Sequence, residues 1–147
     1  MRFREQYAFL SNFYPARVIC SMGIAYSTVE HAYQASKVVD IATRQHFAKL
    51  KTPVQAKQEG KRLIVRPDFM DNRIQIMEQL LRQKFYAGSK LAISLQRIEE
   101  NIVEENYWGD TFWGTFNNKG ANNLGKILMK IRDELNMDHC LNSDICS

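Results

Sequence analysis

At 147 residues, with 45% hydrophobic and 24% charged side chains, the chain is long enough for one domain with a real core and too short for two of ordinary size. Its formal net charge of +4 suits a phosphate-bearing partner, but no basic arm or run stands behind it (Lys57, Lys61, Arg62 and Arg66 are the densest group). Cys20, Cys140 and Cys146 without a Cys-x-x-Cys, three scattered histidines, no signal-peptide core and no run of membrane-span length argue against a disulfide framework, a zinc site and a membrane anchor, so the expected setting is a reducing cytoplasm, or a host's cytoplasm for a viral source.

In chain order, Arg17–Cys20 and Ile24–Tyr26 around Ser21-Met22-Gly23 predict a short β-hairpin with a glycine turn. Helices are expected from about Thr28 to Val39, from Ile41 to Leu50, and from Pro53 to Gly60, where proline suits a first helical position. Asp68 to Ala87 carries Ile74, Met77, Leu80, Leu81 and Phe85 at amphipathic spacing. A shorter helix is expected over Gly88 to Ile98, and a buried strand fragment at Ile102–Val103. Tyr107 to Gly120 is aromatic and rich in Gly and Asn, a loop of about 14 residues of the kind that is often functional. The last helix, Asn122 to Leu135, sets Leu124, Ile127, Leu128, Ile131 and Leu135 on a core stripe, with Lys126 and Arg132 on its wet side. The expected architecture is α+β: one mostly helical domain over residues 1–136 with a small β-hairpin, then a flexible tail over 137–147.

Ser27 to Lys37 is the stretch with chemical promise. On a helix Glu30, Gln34 and Lys37, at i, i+4 and i+7, share one face, with the Glu30 and Lys37 Cα atoms roughly 10 Å apart. That spacing accommodates a small polar ligand between a carboxylate and an amine, an acid–base or nucleophile pair. The same residues also fit a Ser-x-x-Glu capping box from Ser27 to Glu30, with Lys37 merely solvated. Spacing leaves both readings open.

Six segments in order then carry a resemblance: Phe9-Leu10-Ser11-Asn12-Phe13; Glu30-His31-Ala32-Tyr33-Gln34-Ala35-Ser36-Lys37; Gly60 with Arg66-Pro67-Asp68; Lys84-Phe85; Tyr107-Trp108-Gly109-Asp110; and Gly120 to Met129. Together they resemble the NADAR family of YbiA-like N-glycosidases, over about Phe9 to Arg132. The resemblance implies a small α+β enzyme that cleaves a ribosyl–base N-glycosidic bond without metal or other cofactor. The implied substrate is either a ribosylamino-pyrimidine phosphate of the early riboflavin pathway or ADP-ribose on guanine in nucleic acid.

The resemblance further implies roles residue by residue. Lys37 would attack the ribose anomeric carbon and form a Schiff base, which requires a neutral amine and hence a depressed pKa. Glu30 would move protons. Asp110 would act as a supporting acid/base or orient the ribose, against the alternative of a turn Asp bonding its own backbone. Asn12, Phe13 and Gln34 would contact ribose or base, and Trp108 would stack on the base. Gly120, Asn122 and Asn123 would offer free N–H groups at a helix start to phosphate, with Asn122 as a plain N-cap the alternative; Arg66 and Arg62 are further phosphate candidates. Relatives often have Trp where this chain has Phe69, which keeps a stacking face but loses the indole donor. Asn106 stands where an acidic residue is frequent, with Glu104 a candidate replacement. A non-catalytic module binding ADP-ribose or an NAD derivative, and a plain helical interaction domain, are the readings from other classes.

Overall fold

A computed structural model describes residues 1–141. A 3-10 helix over Glu5–Leu10 is followed by β1 (Pro15–Ile19), β2 (Ala25–Thr28), α1 (Val29–Ala35), α2 (Ile41–Lys49), α3 (Pro53–Gly60), α4 (Phe69–Lys84), α5 (Lys90–Gln96) and α6 (Asn123–Leu141). The α+β reading, mostly helical with one two-stranded antiparallel sheet, holds. The contacts gather into two compact units, Ser11–Lys84 and a second made of Met1–Leu10 with the chain from Phe85 onwards.

In the Ser11–Lys84 unit, the hairpin pairs Val18 with Tyr26 and Ile19 with Ala25, with an irregularity between Pro15 and Val18. Gly23 closes its turn at φ +78, a conformation that glycine takes without the Cβ penalty. The centre of the unit is α1, which packs against both strands and against α2, α3 and α4. All seven of its residues are buried, Glu30, His31 and Gln34 among them. A short helix buried on every side is normally apolar, so three buried polar residues on it call for partners or a task.

The two helices that follow α1 each start on a recognisable cap. Asp40 accepts from Thr43 N–H at the head of α2. Pro53 opens α3 as expected from sequence, and Thr52 and Gln55 add a reciprocal capping box that the sequence reading did not name. On α4 the buried face is Phe69, Met77, Leu80, Leu81 and Lys84; Ile74, expected on that stripe, is 43% exposed. Burial of each large apolar side chain stabilises by roughly 1.5–3 kcal/mol, so the Phe69–Leu81 face fixes how α4 lies.

The second unit is built on α5 and α6. Ala92, Leu95, Ile98 and Ile102 are buried, as are Leu124, Ile127, Leu128 and Ile131 of the expected α6 stripe. Arg132 departs from its expected wet position: it is 9% exposed, and its guanidinium donates to the carbonyls of Ile98 and Glu100 at 3.1 and 2.7 Å. It ties down the segment that follows α5, supplying donors to two of its carbonyls. Ile102–Val103 forms no strand; it is a buried irregular segment whose carbonyls accept from Asn122 Nδ2 and the Met1 amino group. The last helix runs on to Leu141, past the expected end at Leu135, and the remainder of the expected tail, 142–147, lies outside the described residues.

Candidate active site

The capping reading of Glu30 fails by one residue. The N-cap of α1 is Thr28, whose hydroxyl accepts from His31 N–H at 3.1 Å, while Ser27 lies exposed before it. Glu30 is therefore one place too early to reach back to the cap. His31 locks the start instead: its Nε2 meets the Leu50 carbonyl at 3.0 Å and its Nδ1 meets Thr28 Oγ1 at 2.7 Å. Donation from Nε2 leaves Nδ1 to accept the threonine proton, a neutral tautomer. Burial, opposed by the Leu50 carbonyl, pushes this imidazole below its usual pKa, in keeping with that assignment.

The Glu30 side chain, 7% exposed, accepts from Gln34 Nε2 at 2.8 Å. Its backbone N–H donates to the Asn12 carbonyl at 3.1 Å, which ties the Ser11–Tyr14 segment to the head of α1. Gln34 is itself 6% exposed, and its amide lies against Gly60, where a Cβ would overlap it. Gly60 thus has a reason to be glycine: it leaves room for the side chain that holds the Glu30 carboxylate.

Lys37 lies past the end of α1, not within it, so the expected helix to Val39 is too long. Lys37 N–H bonds the Gln34 carbonyl at 3.2 Å, a tightened last turn, and Ser36 Oγ donates to the Tyr33 carbonyl at 2.5 Å. The Ser36 carbonyl then accepts from Arg66 Nε, and the Lys37 carbonyl from Arg66 N–H, each at 2.8 Å. These acceptors face another part of the chain, so the helix cannot continue through them. The Lys37 side chain is half-buried and within electrostatic reach of Glu30. Burial pushes its amine below the ordinary lysine range; the Glu30 carboxylate works against this and the Lys61 ammonium adds to it. Among the described residues no hydrogen bond or ion pair engages the Lys37 amine.

Arg66, expected on phosphate, thus holds Lys37 by its backbone, and its Nη1 pairs with Asp68 at 2.6 Å. Arg62 is exposed. Phe69 is 2% exposed and packs on Tyr33, with ring centroids 5.4 Å apart, so its ring serves the core. Phe13 is half-buried with the Lys57 ammonium 5.9 Å from its ring centre. Asn12 donates weakly to Met77 Sδ at 3.6 Å, and its buried Oδ1 has no protein partner.

Sequence reasoning gave Lys84 no role, because a lysine near the end of an amphipathic helix ordinarily reads as solvated. It is 2% exposed, its amine donates to the Ser11 carbonyl at 2.6 Å and lies 5.8 Å from the Tyr14 ring centre. It anchors the segment that carries Asn12 and Phe13. Burial lowers its pKa to about 7. Between about 7 and the ordinary value near 10.4 the unfolded chain holds a proton that the folded chain has released, so stability rises with pH across that window. One proton sets a ceiling of about 1.4 kcal/mol per pH unit, and below about 7 the full penalty stands. Denaturant unfolding from pH 7 to 10 should show this slope in the wild type and its loss in Lys84→Met; an equal slope in both would contradict the assignment.

The other expected site residues belong to the second unit, where most have structural work. Asp110 Oδ1 accepts from the N–H groups of Phe112 and Trp113 at 2.9 and 2.8 Å, the turn arrangement that was its alternative reading. Asn106 organises the same loop, accepting from Asp110 N–H and donating to the Asp110 carbonyl and to the buried Glu104 carboxylate. Trp108 is 52% exposed and stands edge-on to Tyr107, centroids 5.1 Å apart. The free helix-start N–H groups expected from Gly120 onward are not free. Those of Ala121, Asn122, Asn123 and Leu124 donate to the carbonyls of Thr111, Gly114, Phe112 and Trp113. The Asn122 side chain accepts from Glu104 N–H and donates to the Ile102 carbonyl, and Asn123 Nδ2 donates to the Phe112 carbonyl. Gly120, at φ +148, leaves no room for a Cβ against the Gly114 carbonyl. This corner folds the aromatic loop onto α6 and engages those four N–H groups within the protein. Among the described residues no three His, Cys, Asp or Glu side chains gather as metal ligands, and no helix is long and apolar enough to cross a membrane.

Comparison with known proteins bears on this geometry. The NADAR domain model matches residues 2–136. The chain is 33% identical over 134 residues to a riboflavin biosynthesis protein of Vibrio vulnificus, covering 89% of this chain but only 36% of that protein. It is 31% identical to N-glycosidase YbiA of Shigella flexneri, over 89% of this chain and 83% of that one. N-glycosidase Npun_R5314 of Nostoc punctiforme is 34% identical, over 89% and 87% respectively. The solution structure of Escherichia coli YbiA superposes with a TM-score of 0.80 at 27% identity, over 95% of this chain and 86% of that one. With a family match along nearly its whole length and the same fold, this chain belongs to the NADAR family.

Proposed function

We propose that the chain is an N-glycosidase that hydrolyses the ribosyl–base bond of a nucleotide-like substrate through a Lys37 Schiff base. The observation that carries the proposal is the juxtaposition of a half-buried amine, lowered by burial and engaged by no hydrogen bond among the described residues, with the buried Glu30 carboxylate that acts on it electrostatically. A base leaves poorly as an anion, so two tasks are needed: a nucleophile at the anomeric carbon and a proton for the departing nitrogen.

The neutral Lys37 amine forms a bond to the anomeric carbon as the carbon–base bond breaks. The Glu30 carboxylate, held by Gln34, takes the proton released by the amine and passes it to the leaving nitrogen. Opening of the sugar ring gives the iminium. Water then adds at the same carbon, Glu30 removes its proton, and expulsion of the amine restores Lys37 with one water consumed. The Ser11–Tyr14 segment supplies Asn12 and Phe13 as sugar and base contacts, and Arg66 acts as a positioning residue that holds the Lys37 backbone. Asp110, engaged in its own turn, is left outside the mechanism.

The mechanism needs Lys37 neutral and Glu30 ionised, so turnover rises with pH through the Lys37 titration. Removing the Lys61 charge should let the Lys37 pKa rise and move that limb of the kcat/KM profile to higher pH, by roughly a few tenths of a unit at low salt. An unmoved or acid-shifted limb in Lys61→Gln would contradict the electrostatic assignment. The reaction itself is tested by incubating the protein with a ribosylamino-pyrimidine phosphate and, separately, with guanine-ADP-ribosylated DNA, and following release of base or of ADP-ribose. Catalytic release from one of them is expected. Binding of both without release over hours would favour a nucleotide-binding module instead.

A further inference from the structure

Both substrates considered for the Glu30–Lys37 pair carry a phosphate on the ribose that is attacked, and the groups first expected to hold it are engaged elsewhere. The N–H groups of Ala121 to Leu124 are bonded within the protein. Arg66 is bonded to the Ser36 carbonyl and to Asp68. Two amines on α3 have no role so far.

α3 packs directly on α1. Its last residue, Gly60, lies against the Gln34 amide, and the chain returns at Arg66, whose N–H bonds the Lys37 carbonyl at 2.8 Å. Between these contacts runs a tight turn, with Arg62 N–H on the Glu59 carbonyl and Leu63 N–H on the Gly60 carbonyl. The turn is thus pinned at both ends to the Gln34–Lys37 stretch. Lys61 sits in it with helical backbone angles, φ -66 and ψ -19, so it shares a face of α3 with Lys57 at i and i+4. Lys57 is half-buried, and its ammonium stands 5.9 Å from the Phe13 ring centre. Phe13 follows Asn12, whose carbonyl receives the Glu30 N–H. One face of α3 therefore carries an amine at the Phe13 end of the site and another towards Lys37.

Among the described residues no hydrogen bond or ion pair engages the Lys61 ammonium, and the acidic residue of α3, Glu59, is turned to His46 Nε2 at 2.9 Å. Side chains at i and i+4 start about 5–6 Å apart, and two flexible lysines from there can converge on the oxygens of one phosphate. We propose that Lys57 and Lys61 form an anion subsite that takes the 5-phosphate of the ribose whose anomeric carbon Lys37 attacks. The assignment rests on the N-glycosidase reading and adds which end of the substrate lies along α3. The Lys61 charge is also felt at Lys37, whose pKa it helps to lower; a phosphate between such cations relieves their repulsion.

The test reads binding without chemistry. In the full chain carrying Lys37→Met, where an opened sugar cannot condense with the amine, ribose, ribose 5-phosphate and ADP-ribose are titrated by calorimetry. Ribose 5-phosphate should bind at least about tenfold more tightly than ribose, a gain within the scale of charge-assisted phosphate contacts. Adding Lys61→Gln, at an exposed position, should cost about threefold or more of that preference, and adding Lys57→Gln as well should abolish it. Lys90→Gln, which deletes one charge on α5, should change it less than about twofold. A further gain for ADP-ribose that the Lys57→Gln, Lys61→Gln variant also loses assigns a diphosphate to the subsite; the absence of such a gain assigns a monoester. No preference for phosphate in the Lys37→Met parent would overturn the proposal, as would a preference left whole by Lys61→Gln with an unchanged circular dichroism spectrum. Release assays on the unaltered chain judge the N-glycosidase reading separately, because none of these titrations depends on breaking a bond.

Discussion

Lys37→Met is expected to lower kcat/KM by at least about a thousandfold, the scale lost when a covalent nucleophile is removed from a site that still binds. Glu30→Gln should cost about 10²–10⁴, the range for a positioned proton-transfer group. Neither change should disturb the fold greatly. The Lys37 side chain makes no hydrogen bond among the described residues, and Gln at position 30 keeps an oxygen for the Gln34 amide to reach. Because the two residues act in one step, the double variant should be little worse than Lys37→Met alone. The measurement is single-turnover kinetics on the three variants, with circular dichroism as the folding control. Full activity in a folded Lys37→Met would remove the nucleophile from the account.

The largest effect on stability is expected at Gly125. It lies inside α6, where replacing glycine by alanine normally stabilises a helix by about 1 kcal/mol. Here a Cβ would run into the carbonyl oxygen of Ile102, a backbone atom, and into the Asn122 amide. Asn122 is fixed at both ends, by Glu104 N–H and the Ile102 carbonyl, so nothing can yield cheaply. Overpacking of this kind costs about 1–3 kcal/mol, which outweighs the propensity gain. Gly125→Ala should therefore lower the unfolding free energy in a denaturant titration. The two effects have opposite signs, and a stabilised variant would show that propensity prevails.

How far the sequence could be read follows from where the determining contacts lie. Local signals read well: the glycine-closed hairpin, the helix opened by Pro53, and the α6 stripe all rest on near neighbours in the chain. The capping reading of Glu30 turned on whether Ser27 or Thr28 takes the cap. Both can, and a shift of one residue separates a capping carboxylate from one held by Gln34 on the buried face of α1. Lys84 and Arg132 look solvated at their helical positions, yet the carbonyls that hold them belong to Ser11, Ile98 and Glu100, far along the chain. The end of α1 was likewise set by Arg66, some thirty places on. The Gly120–Gly125 turn suggested phosphate because glycines there so often expose N–H groups. In this chain glycine is required for close approach to the Gly114 and Ile102 carbonyls, and the N–H groups of Ala121, Asn122, Asn123 and Leu124 are bonded within the protein.

The central claim is a covalent bond between Lys37 and the sugar, and it can be weighed directly. The protein is mixed with substrate, quenched with borohydride within the first turnovers, digested and mapped by mass spectrometry. A reduced adduct confined to the Lys37 peptide, carrying the mass of the opened sugar and absent when borohydride is left out, is the predicted result. Turnover without any lysine adduct, or an adduct on Lys84 in place of Lys37, would contradict it.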